Sequence, residues 1–475
     1  MQMETVHTIY FLGIGGIGMS ALARYFVQKG YRVLGYDRTP SSLTKALEAE
    51  GIVIRYDEDI CGLETLDKKH TLVIRTPAVP EDELLYSYFR QRGFDIQKRA
   101  AVLGWVTRQK KALCVAGTHG KTTTSTMLAH ILQGTAMGAN AFCGGIANNY
   151  GTNLLLNSTS EYVVVEADEF DRSFHQLSPY ISIITSMDPD HLDIYGTAEA
   201  YRNSFASYAR LVEKAIVIKN GLSLDVQSLQ STVYTYTGVH EEKHEDDRVD
   251  FYADNVQVHD GAIVFDFHTP KMVMKDMQLG VPAWVNIENG VAAMAVAWLL
   301  GASEQTIREG LRSFAGVCRR FAVHVNTSQV AYIDDYAHHP MELKVIIDSV
   351  KRLYPERYII GVFQPHLYSR TCDFADDFAA VLMKMDEVLL LPIYPAREEP
   401  IAGVTSEWLA DKIVAKRRMS DDESDLCKKI MVATKEEVIA YLREKVNHIG
   451  KPCVVITLGA GNIDQLVDSI KTTII

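Results

Sequence analysis

The residues Gly117 to Thr123, Gly-Thr-His-Gly-Lys-Thr-Thr, have the types and order of a loop that binds nucleotide phosphates. Glycines let backbone N–H groups point at phosphate oxygens, and the N-terminus of a following helix favours negative charge. Lys121 is expected at the β- and γ-phosphates, and the Thr122 hydroxyl at Mg²⁺. The general pattern has a further glycine where this chain has Val115, so the loop is a shorter variant. An apolar strand before the loop and a helix predicted over 122–132 favour an ATP site over a glycine turn with a surface lysine.

Two acidic motifs follow predicted strands downstream of this loop. They are Glu-Ala-Asp-Glu at 166–169 and Asp-Pro-Asp-His-Leu-Asp at 188–193. Mg²⁺ prefers oxygen ligands and tolerates a nitrogen, so these carboxylates and the imidazole are candidate ligands. Each motif alone is equally explained by a helix-capping acid or a hydrogen-bonded histidine. Their occurrence together after a phosphate loop favours a metal site.

A second glycine-rich turn lies near the N-terminus, as Gly13-x-Gly15-x-x-Gly18. A strand precedes it, a helix follows it, and Asp37 comes about twenty residues later, as in the dinucleotide-binding fingerprint. The pattern is therefore compatible with NAD. It is also compatible with the diphosphate of any other nucleotide, and these alternatives stay open on the turn alone.

The C-terminal third carries histidines and arginines where strands are predicted to end. The runs are Asp-Tyr-Ala-His-His-Pro at 335–340 and Gln-Pro-His-Leu-Tyr-Ser-Arg at 364–370. Such residues suit an anionic substrate or a developing phosphate charge. Adjacent histidines are also explained by helix capping, and the pair Arg319-Arg320 by a linker as well as by a phosphate clamp.

Length and composition indicate a globular protein of about three domains, since the chain has 475 residues, 47% apolar and 23% charged. Strands alternate with helices, including helices predicted over 81–92 and 289–300, which indicates three successive α/β domains. A net charge of −12 argues against non-specific nucleic-acid binding. The seven cysteines include no Cys-x-x-Cys pair, the N-terminus lacks a signal-peptide pattern, and no apolar run is long enough to span a bilayer. We therefore expect a cytoplasmic protein without membrane insertion.

Taken together, these motifs resemble those of the Mur ligases. They include Gly-Ile-Gly-Gly-Ile-Gly-Met-Ser, Gly-Thr-His-Gly-Lys-Thr-Thr, Glu-Ala-Asp-Glu, Asp-His-Leu-Asp, Arg-Arg-Phe, Asp-Tyr-Ala-His-His-Pro and Phe-Gln-Pro-His. They occur in the family's order from Gly13 to Gly461. The similarity is greatest to the members that attach L-alanine to UDP-N-acetylmuramate.

The resemblance implies an α/β protein of three domains: a Rossmann-like N-terminal domain, a central P-loop ATPase-like domain and a Rossmann-like C-terminal domain. The expected boundaries are 1–108 for the UDP-substrate domain, 109–318 for the ATP domain and 319–475 for the amino-acid domain. The implied reaction is ATP-dependent amide formation in peptidoglycan synthesis. It would join L-alanine to the lactyl carboxylate of UDP-N-acetylmuramate through an acyl phosphate, with Mg²⁺.

The resemblance also assigns expected roles to residues that match the family's motifs. The catalytic residues would be Lys121, His191, His338 and Arg370. The metal ligands would be Thr122, Glu166 and His191. The ATP-binding residues would be Gly117, Thr118, His119, Gly120, Lys121, Thr122, Thr123, Asn286 and Asn289. The substrate-binding residues would be Gly13, Gly15, Gly16, Gly18, Met19, Ser20, Asp37, Arg320, Tyr336, His338 and Arg370.

Some positions depart from the family pattern. Val285 occupies the place of a histidine on the adenine side, and Leu367 that of an arginine, so substrate binding would depend more on Arg370. Three other functions remain possible from the sequence: a related ligase that recycles whole peptides, an NAD-dependent oxidoreductase and a non-enzymatic nucleotide-binding regulator. We expect a monomer or a weak homodimer.

Overall fold

The computed structural model describes residues 3–190, 192–240, 249–259, 261–396, 398–419 and 429–474. The chain divides into two compact units. The first comprises residues 1–255, 265–277 and 288–315, and the second residues 256–264, 278–287 and 316–475. Within the described ranges, no helix combines the length and apolar character needed to cross a membrane.

Five strands form the first sheet, in the order β3-β2-β1-β4-β5. They are β1 (Thr8–Leu12), β2 (Arg32–Tyr36), β3 (Val53–Arg55), β4 (Thr71–Arg75) and β5 (Asp95–Lys98). The accompanying helices are α1 (Ile17–Gln28), α2 (Ser42–Ala49), α3 (Leu84–Arg92) and α4 (Arg99–Thr107). All pairings are parallel, so the carboxyl ends of the strands share one edge. The glycine turn after β1 and the start of α4 lie at that edge.

Ten strands form the second sheet, in the order β15-β14-β13-β12-β11-β10-β6-β9-β7-β8. The first six are β6 (Lys111–Ala116), β7 (Asn140–Ala147), β8 (Thr152–Leu155), β9 (Tyr162–Ala167), β10 (Pro179–Ile184) and β11 (Ala215–Lys219). The others are β12 (Thr232–Val239), β13 (Phe251–His259), β14 (Ala262–His268) and β15 (Val273–Gln278). The helices are α5 (Lys121–Gln133), α6 (Leu192–Tyr195), α7 (Ala198–Ala209), α8 (Val285–Leu299) and α9 (Glu304–Ser313).

The central strands of this sheet are β10, β6 and β9, which pair in parallel. Their nearly continuous apolar sequences, such as Val163 to Val165 in β9, are typical of strands buried on both faces. The phosphate loop follows β6 and the Glu-Ala-Asp-Glu motif ends β9. Parallel pairing of β6 with β9 therefore brings both motifs to the same edge.

Six strands form the third sheet, in the order β16-β17-β21-β18-β19-β20. They are β16 (Ala322–Asn326), β17 (Val330–Asp335), β18 (Tyr358–Phe363), β19 (Glu387–Leu390), β20 (Ile430–Val432) and β21 (Cys453–Leu458). The helices are α10 (Pro340–Leu353), α11 (Tyr368–Asp373), α12 (Ala375–Leu382), α13 (Ser406–Arg418), α14 (Lys435–His448) and α15 (Val467–Ile474). Within the described residues of this sheet, β16 pairs with β17 in an antiparallel manner and the other strand pairs are parallel.

The start of α10, which accompanies the third sheet, is determined by local capping. His339 is the N-cap of α10, and a capping box joins it to Glu342 while Pro340 opens the helix. One of the two adjacent histidines is thus a structural cap. The three sheets, which are rich in parallel pairs and have accompanying helices, confirm the predicted α/β class, with Rossmann-like N- and C-terminal domains and a P-loop ATPase-like domain between them in the sequence. The exact domain boundaries stay a prediction.

Candidate active site

The phosphate loop has the backbone geometry of an anion site. Gly117 has φ +138° and Gly120, the N-cap of α5, has φ +81°, which favour glycine at both positions. A Cβ added at Gly117 would come within 2.9 Å of the Ser186 backbone nitrogen, so a side chain would not fit there. Helix α5 begins at Lys121, with Thr123 half-buried in its first turn. The loop therefore points the N-terminus of a 13-residue helix at the predicted nucleotide.

Lys121 is held by the loop and by an acidic partner that sequence reasoning did not single out. Its Nζ donates to the carbonyl of Gly117 at 2.6 Å and forms an ion pair with Glu169 Oε2 at 2.7 Å. Both side chains are nearly buried. Burial raises the pKa of the Glu169 carboxyl to about 7, although the Lys121 ammonium opposes the rise. The lysine therefore has a carboxylate counter-ion within the protein.

Thr122 and Glu166 place two oxygen donors side by side. The Thr122 hydroxyl donates to Glu166 Oε2 at 2.9 Å. Gly144 faces this pair, and a Cβ there would lie 2.7 Å from Glu166 Cδ and nearer still to Oε2. Adjacent hydroxyl and carboxylate oxygens fit the preferences of Mg²⁺. His191, the third predicted ligand, lies outside the described residues, and the described part of the chain holds no cluster of three or more His, Cys, Asp or Glu suited to a metal.

Two other residues of the phosphate loop form hydrogen bonds with the chain that follows β10. The Thr118 hydroxyl donates to the carbonyl of Asp188 at 2.7 Å and lies 2.8 Å from the Tyr201 hydroxyl. The His119 backbone N–H donates to Ser186 Oγ at 2.9 Å. The loop is thus fixed to the segment after β10.

The two predicted adenine-side asparagines lie in different settings. Asn289 Oδ1 accepts a hydrogen bond from Thr124 at 3.1 Å, and it would lie 2.8 Å from a Cβ at Gly120, so it borders the phosphate loop. Asn286 belongs to the other compact unit, where its Nδ2 donates to the carbonyl of Val281 at 3.2 Å. The structure thus brings Asn289 to the loop, and an adenine contact of either residue stays a prediction.

The N-terminal glycine turn is organised around Asp37. The backbone N–H of Gly15 donates to Asp37 Oδ2 at 2.7 Å, and Gly13 has φ +81°. Gly16 is the N-cap of α1, so the helix N-terminus faces the predicted diphosphate. Two of the predicted substrate residues, Met19 and Ser20, have fully buried side chains, and their contact with the substrate stays a prediction.

Ser20 instead takes part in internal packing. Its hydroxyl donates to the carbonyl of Ile17 and accepts from Asn153 Nδ2 at 2.9 Å. Gly18, the last glycine of the turn, lies against the guanidinium of Arg99.

A separate cluster in the second compact unit contains Arg320 and Tyr336. Asp335 is buried beside them and accepts backbone hydrogen bonds from Phe321 and Ala337, both at 2.7 Å. Burial raises the pKa of the Asp335 carboxyl to about 6, against the opposing effect of Arg320. The Arg320 guanidinium lies 5.1 Å from the Tyr336 ring centroid, a cation–π contact.

His338 and Arg370 belong to the same cluster. His338 Nδ1 lies 3.0 Å from the Tyr336 carbonyl and 3.4 Å from Glu342, and its ring is 5.7 Å from that of His366. Burial lowers the pKa of His338 despite Glu342, and burial and His338 lower the pKa of His366 to about 4. The positive charge of Arg370 contributes to both shifts. These residues form a cationic surface with two neutral imidazoles, which suits an anionic substrate.

Three neighbouring residues were missed as site residues: Glu169, Arg99 and Tyr201. Glu169 is the last residue of the Glu-Ala-Asp-Glu motif, so the sequence marked it as a candidate. The sequence did not indicate that Lys121 would be its partner. Arg99 opens α4 directly after a strand, a position where α/β proteins place functional groups. Tyr201 lies in the first turn of α7, and no sequence pattern marks it.

Three family models match successive parts of the chain. The Mur ligase family catalytic domain matches residues 8–111, the Mur ligase middle domain residues 115–297, and the Mur ligase glutamate ligase domain residues 319–461.

Full-length relatives agree with this assignment. The chain is 52% identical to a UDP-N-acetylmuramate–L-alanine ligase of Parabacteroides distasonis, with 99% of this chain and 98% of the relative covered. It is 50% identical to the protein of the same name from Phocaeicola vulgatus, with 99% and 98% covered. The crystal structure of UDP-N-acetylmuramate-alanine ligase from Thermotoga maritima is similar with a TM-score of 0.78 at 26% identity, covering 98% of each chain. The chain belongs to the Mur ligase family.

Proposed function

We propose that this protein is an ATP-dependent ligase that joins L-alanine to the lactyl carboxylate of UDP-N-acetylmuramate. The observation that carries the proposal is the phosphate loop, in which Lys121, Thr122 and Glu166 converge at the N-terminus of α5. The relative from Parabacteroides distasonis, which shares half of the residues over nearly the whole chain, supports the choice of substrates. Such substrates are cytoplasmic, so the reaction belongs in the cytoplasm.

The chemistry requires activation because a carboxylate is a poor acyl donor. A lactyl carboxylate oxygen attacks the γ-phosphorus of ATP, the bond to the bridging oxygen breaks, and ADP leaves with an acyl phosphate formed. The amine of alanine, after losing a proton from its ammonium form, attacks the acyl carbon. The tetrahedral intermediate then expels inorganic phosphate and leaves the amide.

The residues of the first unit neutralise charge and align the reactants. Lys121 exchanges its contact with Glu169 for the phosphate oxygens, and the backbone N–H groups of the loop bind the phosphates. Thr122, Glu166 and His191 would hold Mg²⁺, which would supply charge neutralisation at the phosphates. Asn289 lies beside the loop on the side proposed for the adenine.

The residues of the second unit provide the anion-binding groups. Arg320 and Arg370 attract the carboxylates and the acyl phosphate, and His338 stays neutral because it is buried, so it can donate or accept a hydrogen bond without adding charge.

The glycine turn at Gly13–Gly18, in the first unit, receives the UDP diphosphate at the N-terminus of α1.

The direct test is phosphate release with ATP, Mg²⁺ and UDP-N-acetylmuramate, screened across alanine, glycine and serine. Release should require the UDP-sugar and be fastest with alanine. Activity with an intact peptide but none with alanine would instead favour the peptide-recycling ligase. An absorbance change with NADH would indicate an oxidoreductase.

Lys121→Met tests the phosphate loop within this function. The variant should lose at least about a hundredfold in turnover because it lacks a donor to the transferred phosphate. UDP-sugar binding, measured without ATP, should survive. Lys111→Met is the matched control, because this lysine is more exposed and lies at the start of β6, where it pairs with Glu161. Near-normal turnover in Lys121→Met would show that the loop does not serve ATP.

A further inference from the structure

Arg99 lies between two parts of the first compact unit that have different predicted ligands. It is the first residue of α4 and follows β5 directly. Because β1, β4 and β5 are parallel, it is at the same edge of the first sheet as the glycine turn after β1. Its side chain reaches from this edge to the segment after β9 in the second sheet.

On one side, the guanidinium lies against the glycine turn. A Cβ added at Gly18 would be 2.9 Å from Arg99 Nη1 and 3.2 Å from its Cδ. The arginine therefore occupies the space that a side chain at position 18 would fill. It lies beside the first turn of α1, where the turn and the helix N-terminus favour a phosphate.

On the other side, the same guanidinium faces the acidic motif. Arg99 Nη2 donates to Asp168 Oδ2 at 3.2 Å, with Arg99 19% exposed and Asp168 37% exposed. A small cavity at this place is lined by Arg99, Ala100, Leu103, Glu166, Asp168, Ser173 and Leu177. The positive charge thus lines the same cavity as Glu166, the carboxylate that accepts a hydrogen bond from Thr122.

The neighbouring lysine has a different environment. Lys98 pairs with Asp171 at 2.8 Å, and its side chain is 51% exposed. Arg99 is instead largely enclosed, and among the described residues its guanidinium makes one ion pair although it carries five N–H donors. Nη2 contacts Asp168, whereas Nη1 lies on the side of the glycine turn.

We propose that Arg99 binds the diphosphate of the UDP-sugar and that Asp168 positions its guanidinium. This inference rests on the proposed function, because it requires a substrate with a nucleoside diphosphate. A planar guanidinium offers two parallel N–H donors to phosphate oxygens, which a lysine ammonium does not. Arg99 also lies between the diphosphate site and the cavity that Glu166 lines. A diphosphate bound to Arg99 would therefore be held at a defined position relative to Glu166.

The test compares two ligands that differ in the diphosphate alone, UDP and uridine, each bound to the full-length protein without ATP or amino acid. Arg99→Met should weaken UDP binding roughly tenfold to a hundredfold, the effect of losing hydrogen bonds to a charged group. Uridine binding should change less than about twofold. Arg99→Lys should bind UDP with an affinity between those of the wild type and Arg99→Met. It keeps the positive charge but loses the two parallel N–H donors of the guanidinium.

Lys98→Met is the matched control, because it removes one positive charge from the adjacent residue and should leave UDP binding unchanged. Unaltered UDP affinity in Arg99→Met would overturn the proposal, as would an equal loss for UDP and uridine, which would indicate a structural role. If Arg99→Met does not fold, Arg99→Lys decides between the same two outcomes. If the wild-type protein fails to bind UDP, the proposed function itself is wrong.

Discussion

Gly144→Ala should disable the nucleotide site through a single methyl group. In the structure, the added Cβ would lie 2.7 Å from Glu166 Cδ and 3.1 Å from Thr122 Oγ1. Ordinary van der Waals contact begins at 3.4 Å, so Cδ must retreat by at least 0.7 Å. The nearer Oε2 must move further. The hydrogen bond of 2.9 Å between Thr122 and Glu166 cannot survive this movement in its present geometry.

The expected loss can be estimated from the displacement. A misplacement of about 1 Å in a catalytic group can cost on the order of a hundredfold in rate. Packing strain should cost roughly 1–3 kcal/mol in stability, which leaves the protein folded at room temperature. The assay is ADP formation as a function of Mg²⁺ concentration, with thermal unfolding measured in parallel. We expect kcat to fall and the Mg²⁺ requirement to rise.

A second substitution makes this test specific. Glu166→Asp shortens the carboxylate by one methylene, so the double variant Gly144→Ala/Glu166→Asp has room for the methyl group. It should be more active than the product of the two single effects predicts, which is positive coupling in a double-mutant cycle. Gly134→Ala, at the far end of α5, is the control and should stay within about threefold of wild type. Additive effects, or normal activity in Gly144→Ala, would refute the placement of Glu166.

Two further predictions concern stability. Asp335 has a folded pKa of about 6, above its usual value near 3.9, so its stabilising contribution is complete below pH 4 and is lost as the pH rises through 6. The loss is up to about 3 kcal/mol, and Asp335→Asn should remove this part of the pH dependence in urea unfolding between pH 4 and 8; an unchanged slope would contradict the assignment. Gly104→Ala should destabilise by roughly 1–3 kcal/mol although alanine favours helices, because its Cβ would lie 3.0 Å from the backbone carbonyl carbon of Gln176 and closer to its oxygen. Increased stability in urea unfolding would show that the contact relaxes freely.

The helices and strands around the site could be predicted from the sequence because local residue patterns determine them. The helix predicted over 122–132 is α5, Lys121–Gln133, and the loop before it has the glycine conformations that the motif requires. Errors occur where a side chain caps a helix. The helix predicted from residue 81 begins at Leu84, because Glu83 serves as the N-cap and accepts from the Tyr86 N–H at 2.7 Å.

Partners distant in sequence were not predictable. The ion pair of Lys121 with Glu169 spans 48 residues and that of Arg99 with Asp168 spans 69. Sequence motifs indicate which residues carry charge, but strand order and register decide which charges meet. Parallel pairing of β6 with β9 brings Glu169 to the loop, and the contact between α4 and the segment after β9 brings Arg99 to Asp168. Predicting these pairs would require the tertiary structure.

These internal partners also change how the affinity of the phosphate loop should be understood. In the structure, Lys121 donates to Gly117 and Glu169, and Thr122 donates to Glu166. Each contact with a phosphate oxygen or a metal therefore replaces a hydrogen bond that already exists. The binding free energy is the difference between the two, since a hydrogen bond exchanged for another contributes little net stabilisation. The carboxylate of Glu169 is the one group left behind in this exchange without its counter-ion, and its raised pKa allows it to take up a proton near neutral pH. Substituting a loop residue should consequently affect the free protein and the complex together, so binding and stability must be measured on the same variants.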